Sequence, residues 1–342
     1  MNILDDASLL NMADPGDMLG LVAGFADQLE AAMDVPAALA GEVPGRILLA
    51  GMGGSAVVGR ILAPLLDASS GLRLLIVDSY ELPKTLPGDL LLLSSYSGQT
   101  EEVLELFKQG EAEGLRCMVL SSGGELSRLA ESQKLPVLSL PQGFPPRAAL
   151  PSALGRLLGL FKVWGLPFET EGLIEDLREA AESCLPHIPK MKNPAKILAT
   201  KLGDFRTAAV ALSPVYAGVA RRMQAQIEEN AERSAHAYSL PELHHNSWIP
   251  WMTDEDPPGA IIWLGTEEAH PRVLKRKSLS EELLSDRGIP FMDLPSSGQG
   301  RLNRLLTSVL IGDFVSVYLA LLRGMDPSST GPLDAMKARL NR

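Results

Sequence analysis

Cysteine is nearly absent from this chain. Two occur in 342 residues, Cys117 and Cys184, far apart and in different segments. There is no CxxC and no Cys/His spacing of a metal ligand set, which argues against a disulfide framework and a structural zinc site. Positive charge is in deficit: 31 Lys and Arg face 42 Asp and Glu, for a net charge of −11. An acidic chain with scattered cations is a poor binder of nucleic acid or of an anionic membrane. Residues 1–33 lack a basic start followed by an apolar core, so no signal peptide is expected. The longest apolar runs read as too short to span a bilayer. These absences predict a soluble, cytoplasmic protein with neither nucleic acid nor membrane as partner. What the chain does have is apolar content, 46% of its residues. That is ample for a large core, and the length suggests about two domains.

The most informative stretch runs from Arg46 to Glu102. Ile47-Leu48-Leu49-Ala50 breaks into Gly51-Met52-Gly53-Gly54-Ser55, and Leu90-Leu91-Leu92-Leu93-Ser94 breaks into Ser95-Tyr96-Ser97-Gly98-Gln99-Thr100. Short continuous apolar runs suit strands buried on both faces. Each is followed by a helical pattern, Val57, Val58, Ile61, Leu62 and Leu65 in one case and Val103, Leu104, Leu106 and Phe107 in the other. Both turns should therefore lie at the carboxyl ends of parallel strands, where open α/β sheets bind ligands. Glycines let a ligand approach the backbone closely. Ser55, Ser95, Ser97 and Thr100 offer hydroxyls, and the helix starts offer free N–H groups with partial positive charge. Neither turn holds a lysine or arginine, so a single phosphate monoester fits better than a pyrophosphate. Taken singly, each turn reads as well as a tight strand–helix connection whose serines only cap. The pair of them, one strand–helix unit apart, favours a phosphate.

The remaining pattern is α/β. Residues 1–15 read as irregular and Asp17 to Met33 as one helix. Leu74–Val77 reads as another buried strand, and further strands are expected at 116–120 and 136–140, with a short helix near 126–131 between them. This is a β-α-β-α succession with a parallel core. Residues 152–202 look wholly helical and connect two halves. A second α/β unit begins with the strand Thr207–Leu212, enters a helix over Val219–Ile227, and has strands at 260–264 and 289–293. A long apolar helix spans about Leu302–Leu322, and a short helix holds Lys337.

Glu229 and His245 are the candidates for proton chemistry. Histidine titrates nearest neutrality, and a placed carboxylate is an effective base. The plain alternative for Glu228-Glu229 is a solvated acidic end of a helix. Arg147, in Pro145-Pro146-Arg147 at a helix start, is either a surface arginine or a guanidinium aimed at a pocket. His244 and His245 lack further ligands at suitable spacing, so a metal site is not expected there.

These residues carry a resemblance. The chain resembles the bifunctional phosphoglucose/phosphomannose isomerase family, built from two sugar isomerase (SIS) domains. The match is carried by Gly51–Ser55, Ser95–Glu102, Pro146–Leu150, Glu229-Asn230-Ala231, Pro241–Asn246, Asp313–Ala320, Asp326-Pro327 and Lys337, in order along nearly the whole chain. The resemblance implies an α/β fold of two SIS-type domains, each a parallel sheet flanked by helices, covering 1–152 and 153–342. It implies interconversion of glucose 6-phosphate, and mannose 6-phosphate, with fructose 6-phosphate through an enediolate, with no metal or other cofactor. By that resemblance Gly54, Ser55, Ser95, Ser97 and Thr100 hold sugar and phosphate, Arg147 stabilises the enediolate, and Glu229 shuttles the proton between C2 and C1. His245 opens the sugar ring and comes from the neighbouring subunit, which implies a homodimer. Lys337 reaches the substrate, and Thr330 is the candidate for the threonine associated with mannose 6-phosphate. The text departs from the family pattern at Glu228–Tyr238, where Glu228 and Arg233 replace its usual Asn and Lys.

Two other readings share the phosphate turns. A catalytically silent sugar-phosphate sensor would not need Glu229, Arg147 and His245 to act on one sugar. An attached DNA-binding segment would favour it, and no helix-turn-helix reads upstream of Gly45. An amino-sugar isomerase of the related kind would use a lysine to form an imine, and no lysine stands at Glu229.

Overall fold

The computed structural model describes residues 3–166, 168–253 and 259–340. The chain divides into two compact units. One comprises Met1–Ala23, Asp176–Gly298 and Arg304–Arg342, and the other comprises Gly24–Glu175 and Gln299–Asn303.

The start of the chain is more regular than its composition suggests. Two helices, α1 (Ala7–Ala13) and α2 (Met18–Ala23), stand where irregular chain was expected to lead into one long helix. Acidic caps account for them. Asp6 accepts from the N–H groups of Ser8 and Leu9, and buried Asp14 accepts from those of Met18 and Leu19. Such caps satisfy donors that a helix start leaves open. The helix expected over 17–33 is broken at Gly24, a poor helix former, into α2 and α3 (Phe25–Ala32).

The first sheet follows. Helix α4 (Ala37–Ala40) precedes β1 (Arg46–Ala50), α5 (Gly53–Ser70), β2 (Arg73–Val77), β3 (Asp89–Ser94), α6 (Glu101–Ala112), β4 (Arg116–Ser121), α7 (Gly124–Ser132), β5 (Val137–Ser139) and α8 (Leu150–Val163). The strands are parallel in the order β2-β1-β3-β4-β5. Every residue of β3 is buried, as its unbroken apolar run requires. β2 does not match the expectation of a buried strand. It lies at the sheet edge with an alternating burial pattern, and Leu75 is 39% exposed. Leu91, Leu93, Val103, Leu106, Phe107, Val119 and Leu126 make the core on one face. Helix α8 is buried nearly all round. Gly155 and Gly159, one turn apart on it, let α3 and the chain after it come close. A Cβ at either would sit 2.4 Å from the Leu29 carbonyl oxygen or 2.2 Å from that of Met33.

Residues 152–202 are not continuously helical. α8 ends at Val163 with Gly165 in the left-handed region (φ +71°). α9 (Leu173–Ser183) and α10 (Pro194–Leu202) follow, separated by a segment that contains Pro186 and Pro189. The second sheet is built from β6 (Thr207–Ala211), α11 (Ala217–Ala231), β7 (Ala235–Ser239), α12 (Trp248–Thr253), β8 (Ala260–Leu264), α13 (Pro271–Asp286) and β9 (Phe291–Asp293). It too is parallel, in the order β7-β6-β8-β9. Ala208, Val210, Trp251, Ile261, Trp263 and Leu284 form its core on one face. The edge strand β7 had no signal in the sequence: His236 is exposed and Ala237 to Ser239 are half-buried.

Helix α14 (Arg301–Leu322) and α15 (Gly331–Leu340) close the chain. α14 is long and apolar enough to cross a membrane, which corrects the expectation that no apolar run reaches that length. Of its most apolar window 94% is buried within the protein, as in the core helix of a globular fold.

Candidate active site

In both sheets the strand order reverses beside the first strand, between β1 and β3 and between β6 and β8. Ligands of open parallel sheets bind at such points, beyond the carboxyl ends of the strands. At the first, Gly51–Ser55 follows β1 and Ser95–Thr100 follows β3. The first turn lies against the end of β3, where the second turn begins: a Cβ on Gly51 would lie 3.1 Å from the Ser94 carbonyl oxygen. Neither α5 nor α6 receives a capping hydrogen bond from its own N-cap side chain, Met52 or Thr100. The hydroxyls are held within the second turn instead. Ser95 Oγ and Thr100 Oγ1 share a hydrogen bond of 2.7 Å, Ser95 Oγ accepts from the Gly98 N–H at 3.1 Å, and Ser97 Oγ accepts from the Gln99 N–H at 3.2 Å. Ser95 is buried, Ser97 exposed, and Gly54, Ser55 and Thr100 half-buried. A cradle of this kind binds a small anion through N–H groups and hydroxyls with no cation in the turn.

The arginine turn joins the same place. Pro146 to Ala149 form a single 3-10 turn leading into α8, and Arg147 on it is only 3% exposed. A Cβ on Gly54 would be 3.7 Å from the Pro146 carbonyl oxygen, so the first glycine turn and the arginine turn are neighbours. Gly54, Ser55, Ser95, Ser97, Thr100 and Arg147 therefore lie on three segments that meet at one end of one sheet. Arg147 is thus buried and not the surface arginine that its helix-start position alone suggested.

Glu229 lies in the last turn of α11, which runs on to Ala231 rather than ending near Ile227. Glu228 is exposed and Glu229 half-buried. Behind Glu229 runs a buried polar network that the sequence pattern did not reveal. Arg222 grips Asp313 of α14 with two parallel hydrogen bonds, Nε to Oδ1 at 3.0 Å and Nη2 to Oδ2 at 2.8 Å. Asn230 Nδ2 donates to Ser316 Oγ at 2.9 Å, and that hydroxyl donates to the Asp313 carbonyl oxygen at 2.6 Å. Burial pushes the Asp313 carboxyl above its ordinary range, Arg222 and Gln226 draw it back, and the Glu229 charge adds to the rise. Arg222, Gln226 and Asn230 recur every four residues, so they share one face of α11. That spacing, together with a lone aspartate inside an apolar helix, was the available signal.

Of the adjacent histidines, His245 is exposed and His244 half-buried. His244 is the anchored one: Nε2 is 2.9 Å from Ser280 Oγ, Nδ1 is 3.4 Å from an Arg276 nitrogen, and its ring lies 4.9 Å from that of Trp248. Burial, then Arg276, then His245 lower its pKa, so it stays neutral near pH 7. Thr330 is half-buried, and its hydroxyl donates to Asp334 at 2.6 Å at the start of α15. Lys337 is exposed on α15, a helix with no buried residue. Among the described residues no three His, Cys, Asp or Glu side chains group so as to hold a metal ion.

Comparison with known proteins gives this geometry a context. Residues 191–340 match a family model described as the bacterial phospho-glucose isomerase C-terminal SIS domain. The chain is 31% identical over 302 residues to the bifunctional phosphoglucose/phosphomannose isomerase of Caldicellulosiruptor bescii, covering 86% of this chain and 89% of that protein. It is 30% identical to the protein of the same name from Aquifex aeolicus, covering 86% and 90%. Among solved structures, a hypothetical protein from Thermus thermophilus superposes with a TM-score of 0.70 at 17% identity, covering 98% of this chain and 89% of that one. At that identity the superposition speaks to the fold alone.

Proposed function

The chain belongs to the bifunctional phosphoglucose/phosphomannose isomerase family, and from that premise we propose that it interconverts glucose 6-phosphate and mannose 6-phosphate with fructose 6-phosphate. The observation that carries this to the chemistry is the meeting of two hydroxyl-lined, side-chain-uncapped helix starts with the turn that holds buried Arg147. A hexose 6-phosphate needs one anion site and one cation for a developing oxyanion, and these segments supply both kinds of group.

The reaction moves one proton. In this reading the backbone at Gly54 and the hydroxyls of Ser55, Ser95, Ser97 and Thr100 hold the phosphate, far from the reacting carbons, so binding energy orients C1 and C2. His245, from the other subunit of a homodimer, gives a proton to the ring oxygen O5 as the C1–O5 bond breaks and the O1 hydroxyl gives up its own, so that C1 becomes the aldehyde. Glu229 then takes the proton from C2 of the open aldose as the C1 carbonyl gains negative charge. Arg147 stabilises that enediolate oxygen, and Glu229 returns the proton to C1 while the hydroxyl proton on O2 passes to O1. Lys337 reaches the substrate from α15. Thr330 gives the latitude for either epimer at C2. The network of Arg222, Asp313, Asn230 and Ser316 supports this role for Glu229 by fixing the helix turn that carries it.

The test is isomerisation of fructose 6-phosphate in deuterated water, followed by NMR, for the wild type and Glu229→Gln. Deuterium at C2 of both glucose 6-phosphate and mannose 6-phosphate, lost in the variant, is the expected result. Binding of sugar phosphate by the wild type with neither glucose 6-phosphate nor mannose 6-phosphate formed would overturn the reading and leave a sensor.

A further inference from the structure

The Ser95–Thr100 turn and the segment that ends in Arg147 are joined by one side chain, Tyr96. Its phenol spans from the turn to the loop after β5. The hydroxyl donates to the Pro141 carbonyl oxygen at 3.0 Å and accepts from the Phe144 N–H at 2.9 Å. A single oxygen thus closes the loop from Pro141 to Phe144 on itself and ties it to Tyr96. The Tyr96 backbone is held separately. Its carbonyl oxygen accepts from the Ser122 N–H at 3.1 Å and from Ser122 Oγ at 2.6 Å. Ser122 in turn accepts, at its carbonyl oxygen, a 2.9 Å bond from Gln142 Nε2 in the same loop.

Only Pro145 and Pro146 separate Phe144 from Arg147. Proline fixes its own φ, so these two residues transmit position with little slack. The Pro145 carbonyl oxygen also accepts from the Ala148 N–H at 2.8 Å, which fixes the turn on which Arg147 stands. The path from anion turn to guanidinium is therefore short and stiff: Tyr96 phenol, Phe144 N–H, two prolines, Arg147.

We propose that Tyr96 is a positioning residue that sets Arg147 relative to the anion held by the Ser95–Thr100 turn. This rests on the assignment of Arg147 and that turn to substrate above. Its hydroxyl does not hold the turn itself, because Ser122 does that through the backbone. Removing the hydroxyl should therefore loosen the arginine and leave phosphate binding alone. Misplacing a group that acts on the transition state lowers kcat, and a displacement of about 1 Å can lower it by about a hundredfold.

The test uses the full chain with Tyr96→Phe, Arg147→Ala and the double variant. Steady-state kinetics on fructose 6-phosphate are measured with inorganic phosphate as a competitive probe of the anion turn. The expected result for Tyr96→Phe is a fall in kcat of about tenfold or more, with KM and the inhibition constant for phosphate within about twofold of wild type. In the Arg147→Ala background the same change should have no further effect, since two residues acting through one interaction do not add. Pro141 is exposed and Phe144 half-buried, so water can replace the lost bonds and the variant should fold. Wild-type kcat in Tyr96→Phe, or a full additional loss in the double variant, would overturn the proposal. If Arg147→Ala itself retains wild-type kcat, the assignment of the arginine fails instead, and the two failures are told apart.

Discussion

At the residue scale, the groups assigned to chemistry depend on buried partners that do none themselves. Arg222 and Asp313 are 3% exposed each, and they form a two-bonded pair between α11 and α14. A pair this deep gains little over apolar residues of the same volume, but removing one member strands the other charge. Asp313→Leu should destabilise the protein by about 3–5 kcal/mol in urea unfolding, and Asp313→Leu with Arg222→Met by much less. If the single change proves neutral, the pair is not what holds the two helices. The site residues were unequally legible at this scale. Ser95, Ser97 and Thr100 stood out because small polar residues ended an apolar run. Arg222 and Asp313 did not, because one charged residue in a helix reads as surface until its partner across the core is known.

At the element scale, backbone proximity limits what the turns can tolerate. Gly98 sits in the left-handed region at φ +65°, and a Cβ there would lie 1.9 Å from the Gly123 carbonyl oxygen. The second turn thus rests directly on the glycine turn that opens α7. Gly98→Ala should destabilise by more than the ~1–3 kcal/mol of a strained backbone alone, and should raise KM for the sugar phosphate. Gly114→Ala is the control. It has a similar φ of +68° but open space around it, so it should lose less stability and leave KM unchanged. Strands β1, β3, β4, β6 and β8 were legible because burial on both faces writes itself as continuous apolar text. β7 was not, since an edge strand partly open to water carries mixed residues such as Ala235-His236-Ala237-Tyr238. The breaks between α8, α9 and α10 rest on Gly165 and two prolines, a local signal set in text whose composition is otherwise helical.

At the scale of the whole molecule, assembly has a direct readout. Glu229→Gln and His245→Ala should each be inactive alone. Mixed in equal amounts and allowed to exchange subunits, they should recover about a quarter of wild-type activity if each site of a two-fold dimer takes Glu229 from one chain and His245 from the other. No recovery despite proven exchange would place both groups in one chain. The exposure of His245, beside an anchored and neutral His244, fits a residue presented outward.

The sequence by itself determined the class of fold and pointed to an anion as the ligand. Continuous apolar runs ending in glycine and serine suit buried strands opening onto helix starts, and a pair of such ends favours an anion without any tertiary information. Parallel sheets followed from that pattern, whereas the strand-order reversal at each first strand did not. Only the tertiary structure decided that the apolar α14 is a core helix, that Arg147 is buried beside the glycine turn, and that Tyr96 links the anion turn to it. Those facts depend on which distant segments meet, and local residue pattern carries no distance between them.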